Sequence, residues 1–418
     1  MALESVTAEL RSSRERTRAI ADGLGGERQF GPLLAIVNPP RWEIGHVGWF
    51  QEYWCLRRTE PGRYGAGRSA SIVPNADSLY NSALVPHDSR WSLPLPEFDA
   101  TLRYRDEVLA RLLERLGERC DADDAYFARL AVRHEDMHAE AFHYTRQTLG
   151  YEAPSLAARP HPRGERLEGD AEVADGVLHL GADPGEEFVF DNEKWSHPVV
   201  VRPFRIARTA VSNAQFAAFA DAGGYERREL WSEDGWRWLL GAGRRAPLYW
   251  RREGGGWQVR RFERWLDLPA DEPVLHVNWF EADAYCRFAG RRLPSEAEWE
   301  FAASCDPATG RKRRYPWGDE PWRPGLANLS GATLASVHDY PAGDSPWGVR
   351  QMTGNAWEWT SSVFLPYPGF LRDPYKEYSE PWFGNHMVLR GGCFSTSPRI
   401  ARAYYRNFYM RDRADVFA

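Results

Sequence analysis

The sequence changes texture once, and that change limits the folds open to it. Up to about residue 150, apolar residues recur at helical spacing. Beyond 171, short apolar runs alternate with clusters of Gly, Pro and Trp. Leu109, Leu112, Leu113 and Leu116 follow i, i+3, i+4, i+7, which predicts an amphipathic helix over 98–118. Residues 5–22 carry few turn signals and read as a helix. Residues 38–58 read as another, with Asn38 as cap and proline in the first turn. A last helix, capped by Asp123 or Asp124, runs to about Thr148 and stops at Gly150. Four helices joined by unequal connections predict a bundle. The longest connection, 59–97, is rich in Gly, Ser, Pro and Asn, and loops of that length are usually functional or disordered.

Residues 152–170 (EAPSLAARPHPRGERLEGD) have the Pro, Gly and charge content of a linker. Past them two helical stretches stand out. One covers 279–290; the other covers 295–303 and opens with Ser295 and Glu298 at capping-box spacing. The organisation predicted is α+β: a helical bundle over 1–151, a linker over 152–170 and an irregular α+β domain over 171–418. A chain of 418 residues is too long for one ordinary core, which agrees.

Composition excludes several roles. The net charge is −6 with no basic tract, which argues against nucleic acid as partner. No apolar run approaches 18 residues, so no membrane partner is expected. The N-terminal stretch lacks the apolar core of a signal peptide. The five cysteines are scattered and none forms C-x-x-C, so neither a disulfide framework nor a zinc ribbon is expected, and a reducing cytoplasm fits.

The chemistry concentrates in histidines. In HEDMHAEAF, His134 and His138 stand at i and i+4, which puts their imidazoles about 40° apart on one helix face. Leu130, Ala131 and Ala141 share that face, so it points inward. His46 lies in RWEIGHVGWFQEYW, on a helix that Trp42, Trp49, Phe50 and Tyr53 make a buried one. Three imidazoles from facing helices form a workable metal site with open positions. His143 and Glu140 are turned about 140° and 200° from His138 and fall outside that cluster. Two plainer readings compete. A single histidine on an apolar helix is ordinarily a satisfied core residue. HEDMH also fits H-E-x-x-H, the zinc hydrolase pattern, with Glu135 as base.

Five stretches carry a resemblance: residues 190–225, 273–303, YPWGD (315–319), SPWGVRQMTGNAWEWT (345–360) and VLRGGCFS (388–395). Together they resemble the formylglycine-generating-enzyme, or sulfatase-modifying-factor, fold, a C-type-lectin-like variant. Formylglycine chemistry needs a cysteine pair after the RGG turn; Thr396 and Ala401 stand there, and Cys393 alone does not restore it. A DinB-like four-helix bundle ahead of this fold is similar to the ergothioneine-type synthases. That resemblance implies iron(II) held by His46, His134 and His138, with Glu140 completing H-x-x-x-H-x-E. It implies O₂ as co-substrate and hercynine (N-trimethylhistidine) as the substrate oxidised at imidazole C2. It implies hercynine recognition by Asn407 and Phe408 in RNFY, a tyrosine near the metal as proton or hydrogen donor (Tyr375, Tyr378 or Tyr409, with Tyr367 also in the segment), and a substrate site shared by both domains.

Departures from the sulfur enzymes concern the donor. Met137 precedes His138 where relatives commonly carry glutamine. Tyr409 follows Asn407-Phe408 where an aspartate often stands. The loop 81–95 keeps only Arg90, with His87 nearby, of an arginine-rich stretch that holds a γ-glutamylcysteine donor. A dianionic donor wants bidentate arginines. With PPRWEIGHVGWFQEYWCLR, these departures resemble the selenoneine synthase branch, which couples hercynine to a selenosugar. The alternatives are a sulfoxide synthase using cysteine or γ-glutamylcysteine, and, from another class, a carbohydrate-binding lectin-like module without catalysis.

Overall fold

Helix α1 (Ala2–Ala21) packs along α5 (Ala122–Leu149), and α2 (Pro40–Gln51) packs against α4 (Phe98–Glu118) and α5. These four, with the short α3 (Ala76–Tyr80), make up the first of two units, Met1–Leu156 and Ala157–Ala418, in a computed structural model that describes residues 2–58 and 68–418. The 59–97 connection is therefore described from 68 onward, where it carries α3 and a 3₁₀ turn, His87–Trp91.

Two caps differ from expectation. Asp121, not Asp123 or Asp124, caps α5: its backbone is extended, its side chain accepts from Asp124 N–H at 2.8 Å, and Asp124 answers as the reciprocal partner. Asn38 caps nothing. Pro39 takes the cap position of α2, and Asn38 Oδ1 accepts from Arg90 Nη1 at 2.6 Å. Gly150 ends α5 at φ +66°, a left-handed conformation that glycine adopts without a Cβ penalty.

All twelve residues of α2 are buried, and two glycines allow it. A Cβ on Gly45 would stand 2.2 Å from the Tyr80 ring, and one on Gly48 would stand 3.3 Å from the Arg105 backbone. Small residues at i and i+3 thus let α3 and α4 approach α2 closely. Beyond Gln51 the helix widens into one π turn, Glu52–Leu56. No helix among the described residues is long and apolar enough to cross a membrane.

The second unit is built from short pieces. Strand β1 (Asp170–Val173) pairs antiparallel with β4 (Phe204–Ala207), and β2 (Gly176–Leu180) with β3 (His197–Val201). Helices α6 (Asn213–Asp221) and α7 (Glu233–Ala242) lead to a meander of β5 (Trp250–Glu253), β6 (Gly256–Arg261) and β7 (Arg264–Asp267). Helices α8 (Trp279–Phe288) and α9 (Glu296–Ser304) follow, the latter with the Ser295–Glu298 box its sequence predicts. The last sheet has the order β10 (Asn407–Tyr409), β9 (Met387–Arg390), β8 (Glu358–Val363).

Aromatic anchors and buried ions hold these pieces together. Trp299 and Phe301 centre one core with Leu178, Leu180 and Val201; Phe216, Phe219, Trp231 and Trp250 centre a second. Arg406 is buried and forks onto Glu296 at 2.7 and 3.2 Å, and Arg390 reaches Glu300 at 2.6 Å. The stretch that reads as a linker is strapped down over its second half: Arg350 donates to the Glu165 carbonyl at 3.1 Å, and Tyr340 N–H to that of Pro162 at 2.9 Å. Proline-rich texture in the sequence signals missing secondary structure, and here it does not signal a free tether. All five cysteines are free thiols, and Cys393 is buried in its turn, its N–H on Thr396 Oγ1 at 2.8 Å.

Candidate metal centre

α2 carries His46 and α5 carries His134 and His138, and one ligand nitrogen from each lies within 4.8 Å of the other two. Outer hydrogen bonds decide which nitrogen faces inward. His46 Nδ1 stands 2.8 Å from the Tyr80 carbonyl, which can only accept, so this nitrogen carries the proton and Nε2 keeps the lone pair. His138 Nδ1 likewise donates to the buried Glu43 carboxylate at 2.6 Å. His46 Nε2 then faces His134 Nε2 at 3.2 Å. A lone pair that close to a second imidazole nitrogen needs a proton or a cation between them. A divalent metal meets that need for all three rings at once, so the donor set fits one.

Electrostatics keep the rings in ligand form. Burial, then neighbouring histidines, push His46 and His134 well below the ordinary imidazole pKa, so both are neutral near pH 7. Stacking fixes the rings. Trp42 lies parallel to His46 at 4.9 Å, Trp49 lies at 5.7 Å, and Phe50 lies face to face with His134 at 3.6 Å.

The residues just outside the trio are turned elsewhere. Glu135 is buried against α1, accepting from Arg14 Nε at 2.8 Å, so the H-E-x-x-H reading loses its free base. His143 is buried further along α5 and is not part of the ligand cluster; nor is Glu140. Met137 is half-buried beside His138, about 100° round the helix. Glu43 and the Tyr80 carbonyl are the residues that sequence reasoning missed. Glu43 could have been found, since WEIGH sets it at i−3 from His46 on the same face.

Residues 9–142 match the DinB superfamily, and residues 157–416 match the sulfatase-modifying factor enzyme 1-like domain. The hercynine oxygenase of Mycolicibacterium thermoresistibile is 39% identical over 98% of this chain and 92% of its own length. That of Mycobacterium tuberculosis is 39% identical over 99% of this chain and 97% of its own. The chain belongs to the hercynine oxygenase family. The formylglycine-generating enzyme of Streptomyces coelicolor is 34% identical, over 58% of this chain and 84% of its own. The family's architecture, a DinB bundle followed by a C-type-lectin-like domain, is the one described above.

In this hercynine oxygenase relative the remaining candidate residues fall into separate settings. Arg90 lies 3.9 Å over the Trp42 ring, with Nη1 on Asn38 and Nη2 on the Val85 carbonyl at 3.3 Å. In the second unit, Asn407 and Phe408 are adjacent on β10 and so point to opposite faces. Phe408 stacks on Phe364 at 4.0 Å and meets the Tyr378 ring at 5.8 Å. Tyr378 stacks on Phe190 at 4.4 Å, with Tyr375 at 6.0 Å. Burial raises both hydroxyls above the ordinary phenol range, so both are protonated at neutral pH. Tyr409 lies under the Arg413 guanidinium at 5.1 Å, and Tyr367 is buried and donates to Glu296 at 3.2 Å.

Proposed function

We propose that this chain is an O₂-dependent iron(II) enzyme that joins imidazole C2 of hercynine to a chalcogen donor, a selenosugar, in the manner of a selenoneine synthase. The observation that carries the reading is the convergence of three buried or half-buried imidazoles, two with their outer nitrogens tied, in a chain whose relatives over nearly full length are hercynine oxygenases. Bound iron(II) supplies redox chemistry with O₂ and the coordination positions that three protein ligands leave open. The protein supplies the rest. Tyr80 and Glu43 hold two rings in one tautomer, and the aromatic stack excludes water. On this reading β10 meets hercynine through Phe408, whose aromatic face suits the trimethylammonium, while Asn407 and Tyr409, on the opposite face of the strand, position it. Tyr378, beside Phe408 and kept protonated by burial, is the proton donor, ahead of Tyr375 and Tyr409.

The donor reading rests on Arg90. A γ-glutamylcysteine donor brings two carboxylates, and each unpaired buried carboxylate costs several kcal/mol. Arg90 is engaged by Asn38, Val85 and Trp42, which supports a donor without carboxylates. A selenol is also ionised near neutral pH where a thiol mostly is not, so it needs no separate base near Met137. The alternative donors, cysteine and γ-glutamylcysteine, would give an ergothioneine-type sulfoxide instead.

Two measurements test this. Replacing His46, His134 or His138 by Ala is expected to abolish iron uptake and turnover while the chain stays folded; full iron and activity in His46→Ala would overturn the metal assignment. Competing a selenosugar, a thiosugar and γ-glutamylcysteine at equal concentration, with products identified by mass, decides the donor. Preferential γ-glutamylcysteine coupling would remove the selenosugar reading and leave the metal centre standing.

A further inference from the structure

Arg90 carries a charge that its hydrogen-bond partners do not neutralise. Asn38 Oδ1 and the Val85 carbonyl are neutral acceptors, and Arg90 forms no ion pair among the described residues. Its guanidinium lies over Trp42 at 3.9 Å, and Trp42 lies parallel to His46 at 4.9 Å and 10°. The cation therefore stands within about 9 Å of a metal-ligating imidazole, in contact with the indole that stacks on it. Trp42 does not need Arg90 to stay in place. It is buried, and its Nε1 donates to the Leu79 carbonyl at 2.7 Å. His46 is held separately by the Tyr80 carbonyl. What Arg90 adds beyond its tie to Asn38 is charge, which the Glu43 carboxylate acts on through space.

Resting on the metal-centre reading above, we infer that Arg90, held against the Trp42 ring, acts as a fixed cation close to His46, and that its field favours an anionic ligand, such as a selenolate or thiolate, at the metal. It stands outside the three-histidine cluster. A neutral donor body with one ionised chalcogen would thus be recognised by a field at its reactive atom instead of by arginine forks at its periphery. Burial lowers the Arg90 pKa to about 10, which leaves it charged at neutral pH. A unit charge roughly 10 Å from an anion, at an effective interior dielectric of about 20, changes binding by about ten-fold.

The test uses the full chain loaded with Co²⁺, whose visible spectrum reports coordination, and azide as a monoanionic probe. Arg90→Met is expected to keep Co²⁺ binding at least as tight and the spectrum unchanged, while azide binds about ten-fold more weakly. Arg90→Lys, which keeps the charge but not the planar stack, is expected to restore most of the azide affinity. Unchanged azide affinity in Arg90→Met would overturn the inference. So would equal weakening in both variants, or loss of Co²⁺ from Arg90→Met, which would make Arg90 a strut. If the unaltered chain takes up no Co²⁺ at its three histidines, the metal-centre reading falls first, so the two failures are told apart.

Discussion

The bundle and the C-terminal unit hold their chemistry by different means. In the bundle, three ligands sit on two helices, and helix periodicity alone brings two of them to one face. In the second unit, the candidate residues sit on a three-residue strand and in loops, and buried ion pairs and aromatic stacks hold that backbone in place. A helix fixes side-chain direction locally, over every 3.6 residues. A short strand fixes only alternation, and everything else comes from segments far away in sequence. Loss of one outer contact should cost the first kind of site metal affinity but not its fold; in the second it should cost the fold itself.

The largest effect expected from that contrast lies in the second unit. Arg406 ties segment 192, helix α9, the 365 loop and β10 together through bonds to the Asn192 carbonyl, Glu296 and the Leu365 carbonyl. Glu296→Gln leaves Arg406 and Arg390 without their shared carboxylate charge and is expected to destabilise this unit by about 3–5 kcal/mol. Denaturant unfolding followed by tryptophan fluorescence measures it. A loss below about 1 kcal/mol, the scale of an exposed pair, would break the comparison.

A smaller effect is expected in the bundle. Glu43→Gln keeps a hydrogen-bond acceptor for His138 Nδ1 but removes the charge, and should weaken Co²⁺ binding about 10–100-fold with little change in folding. Isothermal titration on the variant settles it. Affinity equal to that of the unaltered chain would mean that helix register alone defines the centre.

A further effect is one of pH. His276 is buried in the second unit, bonded to the Ala414 carbonyl, and burial lowers its pKa to about 3. The unfolded chain therefore binds this proton first. Stability contributed by the neutral ring is present above about pH 6.5 and is lost as pH falls toward 3, by at most about 1.4 kcal/mol per pH unit. Replacing His276 with Asn should flatten the decline in unfolding free energy between pH 7 and 5. An unaltered slope would place the pH sensitivity elsewhere.

Legibility followed the same division. The Leu109–Leu116 spacing marked α4, Gly150 marked the end of α5, and the Ser295–Glu298 box marked α9. Asn38 misled because a cap preference is local, while its side chain was drawn to Arg90, 52 residues away in sequence. The linker misled because composition reports what a segment cannot form, not what it lies against. Tyr375, Tyr378 and Tyr409 could not be told apart until Phe190 and Phe408 showed which ring packs where.

By itself the sequence determined the order of a helical bundle and an irregular α+β domain, and the inward pairing of His134 with His138. Those follow from periodicity and capping, which act within a few residues. Tertiary structure decided which nitrogen of His46 and of His138 faces inward, because the deciding partners are a backbone carbonyl at Tyr80 and a carboxylate at Glu43. It also decided that Arg90 lies over Trp42, tied to Asn38, and that Asn407 and Phe408 face opposite sides of one strand. Such choices depend on where distant backbone ends up, and a carbonyl oxygen looks the same at every position in a sequence.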